Sequence, residues 1–151
     1  MDNLQTISFF LRMEPDIPHL THQNGIKPTI RKNRATMYKT QELKNLEAKF
    51  LAYIRPYAPP QPWSGPVLLE TDWLFLAPKK LNLLDGELEW KITRPDSDNL
   101  VKTFKDCIAQ AGFVKDDAQI CLERSGKYFS PEKVSHGIKV SISQLPKLKL
   151  S

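Results

Sequence analysis

Five of the twelve prolines in this chain fall between positions 56 and 66, at Pro56, Pro59, Pro60, Pro62 and Pro66. Proline fixes φ and has no N–H to donate, so neither a helix nor an interior strand can run through that stretch. With Trp63, Ser64 and Gly65 among them, the prolines make a stiff connector, and the regular structure has to lie on either side of it. The connector is not a domain boundary. At 151 residues the chain fits the roughly 100–200 residues of one domain and is long enough to bury a core.

Ahead of the connector, Thr6-Ile7-Ser8-Phe9-Phe10-Leu11 is β-prone and predicts a first strand. Pro15, Pro18, Gly25 and Pro28 argue against regular structure next and predict a long basic loop over about 21–39. Leu43, Leu46, Phe50 and Ile54 then recur at helical spacing behind Thr40, a good N-cap, which predicts a helix over 41–55 that Pro56 ends. Beyond the connector, strands are expected over 67–76 and 88–93. A second helix with Leu100, Phe104, Ile108 and Ala111 on one face begins near Asp98 and has Gly112 at C′. Two more strands are expected over 119–128 and 137–143. The reading is a single α+β domain over 1–151, with a mixed sheet of about five strands, two main helices and a frayed tail at 145–151.

An apolar share of 40% excludes wholesale disorder, and no apolar run approaches the roughly 20 residues of a membrane-spanning helix. Arg12 and Glu14 interrupt the N-terminal apolar run, unlike a secretory signal, so a cytoplasmic protein is expected. Cys107 and Cys121 lack the spacing of a disulfide scaffold or a zinc site and read as buried free thiols. Trp73 and Trp90 lie in strand patterns and read as core, which leaves Trp63 as the tryptophan for an interface. His19, His22 and His136 read as surface or packing residues. The net charge of +5 identifies no partner, but its placement is informative. Between positions 21 and 50, Lys27, Arg31, Lys32, Arg34, Lys39, Lys44 and Lys49 stand against Glu42 and Glu47, which amounts to the whole excess.

The chemistry-bearing segment is Arg94-Pro95-Asp96-Ser97-Asp98-Asn99-Leu100-Val101-Lys102, followed by Lys115-Asp116-Asp117-Ala118-Gln119. Asp96 and Asp98 alternate where extended chain enters a helix, so both carboxylates can face one side, and Lys102 lies one helical turn beyond Asp98. A chain that reverses at Gly112 has the reach to return Asp117 to the level of Asp98. Two carboxylates about 4 Å apart repel by about 4 kcal/mol at an effective dielectric near 20, a cost that a divalent cation removes. Oxygen-only ligands favour Mg²⁺ or Mn²⁺. A plainer arrangement stays open at this point: Asp96 or Asp98 caps the helix, Lys102 is its i,i+4 partner, and Asp116 and Asp117 are turn residues. A calcium-binding EF-hand is excluded, since Leu100 occupies the third ligand place.

These residues resemble the signature of the RusA family of Holliday junction resolvases, small dimeric endonucleases. That pattern is an Asp-x-Asp-Asn-x-x-Lys run opening a helix, a later Asp in that helix, an Ala-Gly-Phe-like turn and an Asp-Asp-x-Gln-Val/Ile segment. Here it reads Asp96-Ser97-Asp98-Asn99-Leu100-Val101-Lys102, Asp106, Ala111-Gly112-Phe113 and Asp116-Asp117-Ala118-Gln119-Ile120. The resemblance implies that Asp96, Asp98 and Asp117 are the catalytic, metal-binding carboxylates and that Lys102 is the catalytic or phosphate-contacting lysine. Asn99 and Asp116 stand in a second tier. It further implies Mg²⁺, replaceable by Mn²⁺, with no small-molecule cofactor, and hydrolysis of phosphodiesters in a four-way DNA junction by a nucleoid-associated homodimer. Lys27, Arg31, Lys32, Arg34 and Lys39 would grip the DNA. The rival expectation is a catalytically silent DNA- or RNA-binding protein of phage origin.

Overall fold

The computed structural model describes residues 3–13, 17–18, 25–131 and 136–151. Its largest element is a five-stranded sheet in the order β1-β7-β4-β6-β5, built from β1 (Thr6–Arg12), β4 (Val67–Leu76), β5 (Glu89–Trp90), β6 (Ile120–Ser130) and β7 (Gly137–Gln144). The sheet is mixed: β4 runs parallel to β6, while every other pairing is antiparallel. A parallel pair needs a crossover, and the helix α2 (Ser97–Gln110) lies in the chain between β4 and β6. The other helix, α1 (Gln41–Ile54), starts at Thr40, whose hydroxyl accepts from the Leu43 N–H at 3.3 Å, and packs against α2. Together these elements make one small α+β domain, as expected.

The core follows from strict alternation along the central strand. In β4, Val67, Leu69, Thr71, Trp73 and Phe75 are buried while their neighbours are half-exposed. The Phe104 ring of α2 lies edge-on to Trp73 at 5.9 Å and to Phe50 of α1 at 5.5 Å, so one side chain joins both helices to the sheet. The opposite sheet face is mixed, with Leu68, Leu74 and Leu76 beside Glu70 and Asp72. There Arg124 donates to Glu70 at 2.9 Å and in a fork to Asp72 at 3.1 Å, and these carboxylates hold its guanidinium more firmly protonated than usual.

Four expectations are corrected. The described part of the basic loop, from Gly25 on, is a two-stranded ribbon of β2 (Ile26–Arg31) and β3 (Arg34–Lys39), turning through Lys32 and Asn33 at positive φ. Pro28 does not prevent it. Counting back from the hydrogen-bonded pair Arg31/Arg34 that closes a two-residue turn, Pro28 opposite Met37 falls on a non-hydrogen-bonded pair, so no ladder bond is lost. Trp90 is 66% exposed because only Glu89 and Trp90 of the strand expected over 88–93 pair with β6; its ring leans on Tyr128. Trp63, expected at an interface, is 7% exposed: the connector folds inward and bridges to Val114. Cys107 is buried but Cys121 is exposed. Burial, with Glu47 and Asp106 nearby, pushes the Cys107 thiol up to about 12, which keeps it protonated and inert. His136 is buried, while His19 and His22 lie outside the described residues. Residues 145–151 carry no regular structure beyond the bond from the Leu145 N–H to the Pro66 carbonyl, at 2.9 Å. No helix among the described residues is long and apolar enough to cross a membrane.

Candidate active site

The site is built along one face of α2. Asp98, Lys102 and Asp106 follow one another at intervals of four and therefore line up turn above turn. The face opposite, with Leu100, Phe104, Cys107 and Ile108, is buried, so packing of the apolar stripe turns the charged residues outward. Asp96 holds the N-cap position in extended backbone, but its carboxylate makes no capping bond and stays exposed. Asn99 is half-buried in the first turn and Lys102 is exposed. Lys102 forms no salt bridge among the described residues.

The backbone that enters this helix is held from across the sheet. Lys127 Nζ of β6 donates to the Thr93 and Pro95 carbonyls at 2.8 Å each, immediately ahead of Asp96. Lys91 lies buried beside it against the Phe75 and Phe129 rings, with Nζ donating to Thr93 Oγ1 at 2.7 Å. Two lysines thus fasten the segment that presents Asp96 and Asp98.

After α2 the chain reverses at Gly112, which has φ 93°, and a single turn of 3-10 helix carries Asp117. The return is shorter than the expected one. Val114 bridges to Trp63, and the turn that carries Asp117 packs back against α2 where Asp106 acts on its carboxyl, while Asp98 lies eight residues, or about 12 Å of helix, from Asp106. Hydrogen bonding to Asp106 raises the Asp117 carboxyl above its ordinary value, followed by partial burial and by Asp116. The expected trio of Asp96, Asp98 and Asp117 is therefore not gathered at one point. Among the described residues no three acidic, histidine or cysteine side chains form a metal-holding group.

Asp116 turns out to be structural. Its carboxylate accepts from the Ala118 N–H at 2.7 Å and completes a capping box with Gln119. Gln119 does more than cap. Its Oε1 accepts from the Lys115 and Asp116 N–H groups at 2.9 and 3.0 Å, and its Nε2 donates to the Trp63 and Gly65 carbonyls at 2.7 and 2.9 Å. This one amide ties the Asp117 turn to the proline connector, which is what that connector contributes to the site.

The proposed DNA-gripping residues divide. Lys27, Arg31 and Arg34 share one face of the ribbon, Lys32 stands at its tip, and all four are exposed. Lys39 lies on the other face and pairs with Glu47 of α1 at 2.9 Å, so it anchors the ribbon's base. Lys44 of α1 lines the same recess as Arg31 and Tyr38.

Of three positioning or site residues, Asp106 and Gln119 stand in the quoted family pattern without a role of their own, and Lys127 lies outside it. Asp106 had a signal, eight residues beyond Asp98 on its face; Gln119 had one in the Asp-x-x-Gln capping spacing. Lys127 had none, since the Pro95 carbonyl it holds is 32 residues away.

The family model for the endodeoxyribonuclease RusA matches residues 23–143, a span that takes in the basic ribbon, both helices, the connector and the Asp117 turn. No match was found among curated proteins. A helix face with Asp98, Lys102 and Asp106, an acidic turn folded back upon it and a family match over most of the chain agree, and the chain belongs to the RusA family of endodeoxyribonucleases.

Proposed function

We propose that this protein resolves four-way DNA junctions as a divalent-cation-dependent homodimer, nicking two strands of like polarity symmetrically about the branch point. Membership of a junction-resolving nuclease family supports the reaction class. The observation that carries the site is the acidic turn of Asp117 packed back on α2, whose face bears Asp98, Lys102 and Asp106. Neighbouring carboxyl groups are stabilised by a hard cation, and the donors are all oxygen, the type that Mg²⁺ or Mn²⁺ prefers. Asp96, Asp98 and Asp117, with Asp106, are the carboxylates that would hold it; Asp98 and Asp106 lie about 12 Å apart along α2, so one ion shared by all of them would require the acidic turn to move toward the helix entrance. When bound, the cation supplies charge neutralisation at the scissile phosphate and a more acidic attacking water.

The chain's own residues do the rest. Lys102, exposed between the two carboxylate levels, offers its ammonium to a phosphate oxygen and stabilises charge that grows there in the transition state. Gln119 and Lys127 keep the acidic turn and the helix entrance from drifting, because preorganised groups need no rearrangement as the charge develops. Lys27, Arg31, Lys32 and Arg34 hold the DNA arms. Two like nicks call for two sites related by a twofold axis, which a homodimer provides. Two copies at +5 each carry +10 toward a four-armed polyanion, and affinity should fall steeply with salt.

The deciding experiment is incubation with labelled four-way junction and with duplex of the same sequence, with and without Mg²⁺. Paired symmetric nicks on the junction in Mg²⁺ alone are expected; a junction that is bound but never cut would favour the silent binding protein.

A second expectation concerns stability. Because the folded Asp117 value is raised above its ordinary 3.8, the stability it adds is complete below that value and is lost as the pH rises through the raised one. Without metal the melting temperature should decline across that window. Millimolar Mg²⁺ at neutral pH should raise it, and Asp117→Asn should abolish most of both effects.

A further inference from the structure

The ribbon of β2 and β3 has two unlike faces. Opposed residues of an antiparallel pair share a face, and successive pairs alternate. Lys27/Tyr38, Thr29/Thr36 and Arg31/Arg34 therefore make a polar, basic face, whereas Pro28/Met37 and Ile30/Ala35 make an apolar one above the Ile26/Lys39 base. Among the described residues no part of the core covers the apolar side: Ile30 is 78% exposed and Met37 65%, and Pro28 and Ala35 are exposed as well. The described links to the body are at the base, from the Thr40 N–H to the Gly25 carbonyl at 2.8 Å and from Lys39 to Glu47. An isolated two-stranded ribbon is marginal in water, and six residues of strand carry its tip up to about 20 Å outward. A projecting arm with a continuous apolar face marks a binding surface.

Charge decides among the occupants. A second copy packed on the apolar face would leave Lys27, Arg31 and Arg34, which lie on the opposite face, with no anion to meet them. The fitting partner presents anions to one side of a thin ribbon and flat apolar surface to the other. DNA at a branch point does this, because base pairs end there in open faces while backbones converge around them. Ile, Met and Pro are also among the side chains that wedge between bases. We infer that the apolar face of the β2–β3 ribbon, through Ile30, Met37 and Pro28, seats against unstacked base pairs at the branch point while Lys27, Arg31 and Arg34 take the converging phosphates. The inference rests on the proposed reading of this protein as a junction nuclease.

The test uses the full chain without divalent metal and four-way junctions carrying 2-aminopurine beside the branch point, whose fluorescence rises as it unstacks. Wild type should raise the signal severalfold. Ile30→Ser/Met37→Ser should lose the rise yet keep the slope of log affinity against log salt. Ile30→Val/Met37→Leu should retain the rise, which together with matching circular dichroism excludes misfolding. Arg31→Ala/Arg34→Ala should lower that slope by about 1.8, at about 0.9 per phosphate contact. Wild type that binds junctions with no rise, or a serine variant that keeps it, overturns the inference and leaves the nuclease reading standing. It is equally overturned if the serine variant loses dimerisation in sedimentation, or if wild type sediments with anionic vesicles through these side chains. Failure to bind junctions at all removes both readings.

Discussion

Asp98→Asn and Asp117→Asn proteins, mixed with a labelled four-way junction in Mg²⁺, are expected to shift it in gels as the parent does yet to nick it on the order of 10²–10³-fold more slowly. Both substitutions keep the shape and remove a charge. Asp98 is exposed in the first turn of α2 and Asp117 lies half-exposed, so neither change opens a cavity. Binding should survive because the cations proposed to hold DNA sit on the β2–β3 ribbon, on a separate element. Asp106→Asn belongs in the same series: it should lower nicking comparably and bring the Asp117 carboxyl back toward its ordinary value. Unchanged nicking by Asp98→Asn would defeat the assignment, whatever happens to binding.

Gln119→Leu should reduce nicking by about 10–100-fold, the usual effect of losing a group that orients metal ligands. Its amide makes four hydrogen bonds, two to the Lys115 and Asp116 N–H groups and two to the Trp63 and Gly65 carbonyls. Removing it loosens the Asp117 turn from the connector, while the bond from the Trp63 N–H to the Phe113 carbonyl remains, and touches no reacting atom. The loss should fall on kcat and on the Mg²⁺ requirement, with junction affinity little changed. Gln119→Glu separates the two halves of the role, since a carboxylate still accepts from the N–H groups but cannot donate to the carbonyls. An intermediate rate is expected for it. If both variants nick normally, the connector does not position Asp117.

These residues also mark how far local pattern reaches. Alternation in Val67–Leu76, the helical spacing from Leu43 to Ile54 and the glycine stop at Gly112 are nearest-neighbour effects, and the strands and helices they announce are present. Local pattern does not announce the ribbon, because proline by itself argues against a strand. The harmlessness of Pro28 depends on the side of the ladder it faces, which is set by the turn rather than by proline itself. Trp63 and Trp90 exchanged roles for a related reason: aromatic character says that a residue is worth burying, and only strand pairing decides which one is covered.

By itself the sequence determined which residues carry charge onto one face of α2, where the backbone had to turn and which cations cluster early in the chain. Helical periodicity and proline stereochemistry are local, and they need no partner to operate. Only the tertiary structure decided that Asp106 acts on the Asp117 carboxyl, that the proline connector reaches the acidic turn through Gln119, and that Lys127 secures the helix entrance. Those contacts join residues distant in the chain. They are set by how the helices pack on the parallel pair β4 and β6, a global balance of burial against charge repulsion that no short window of residues contains.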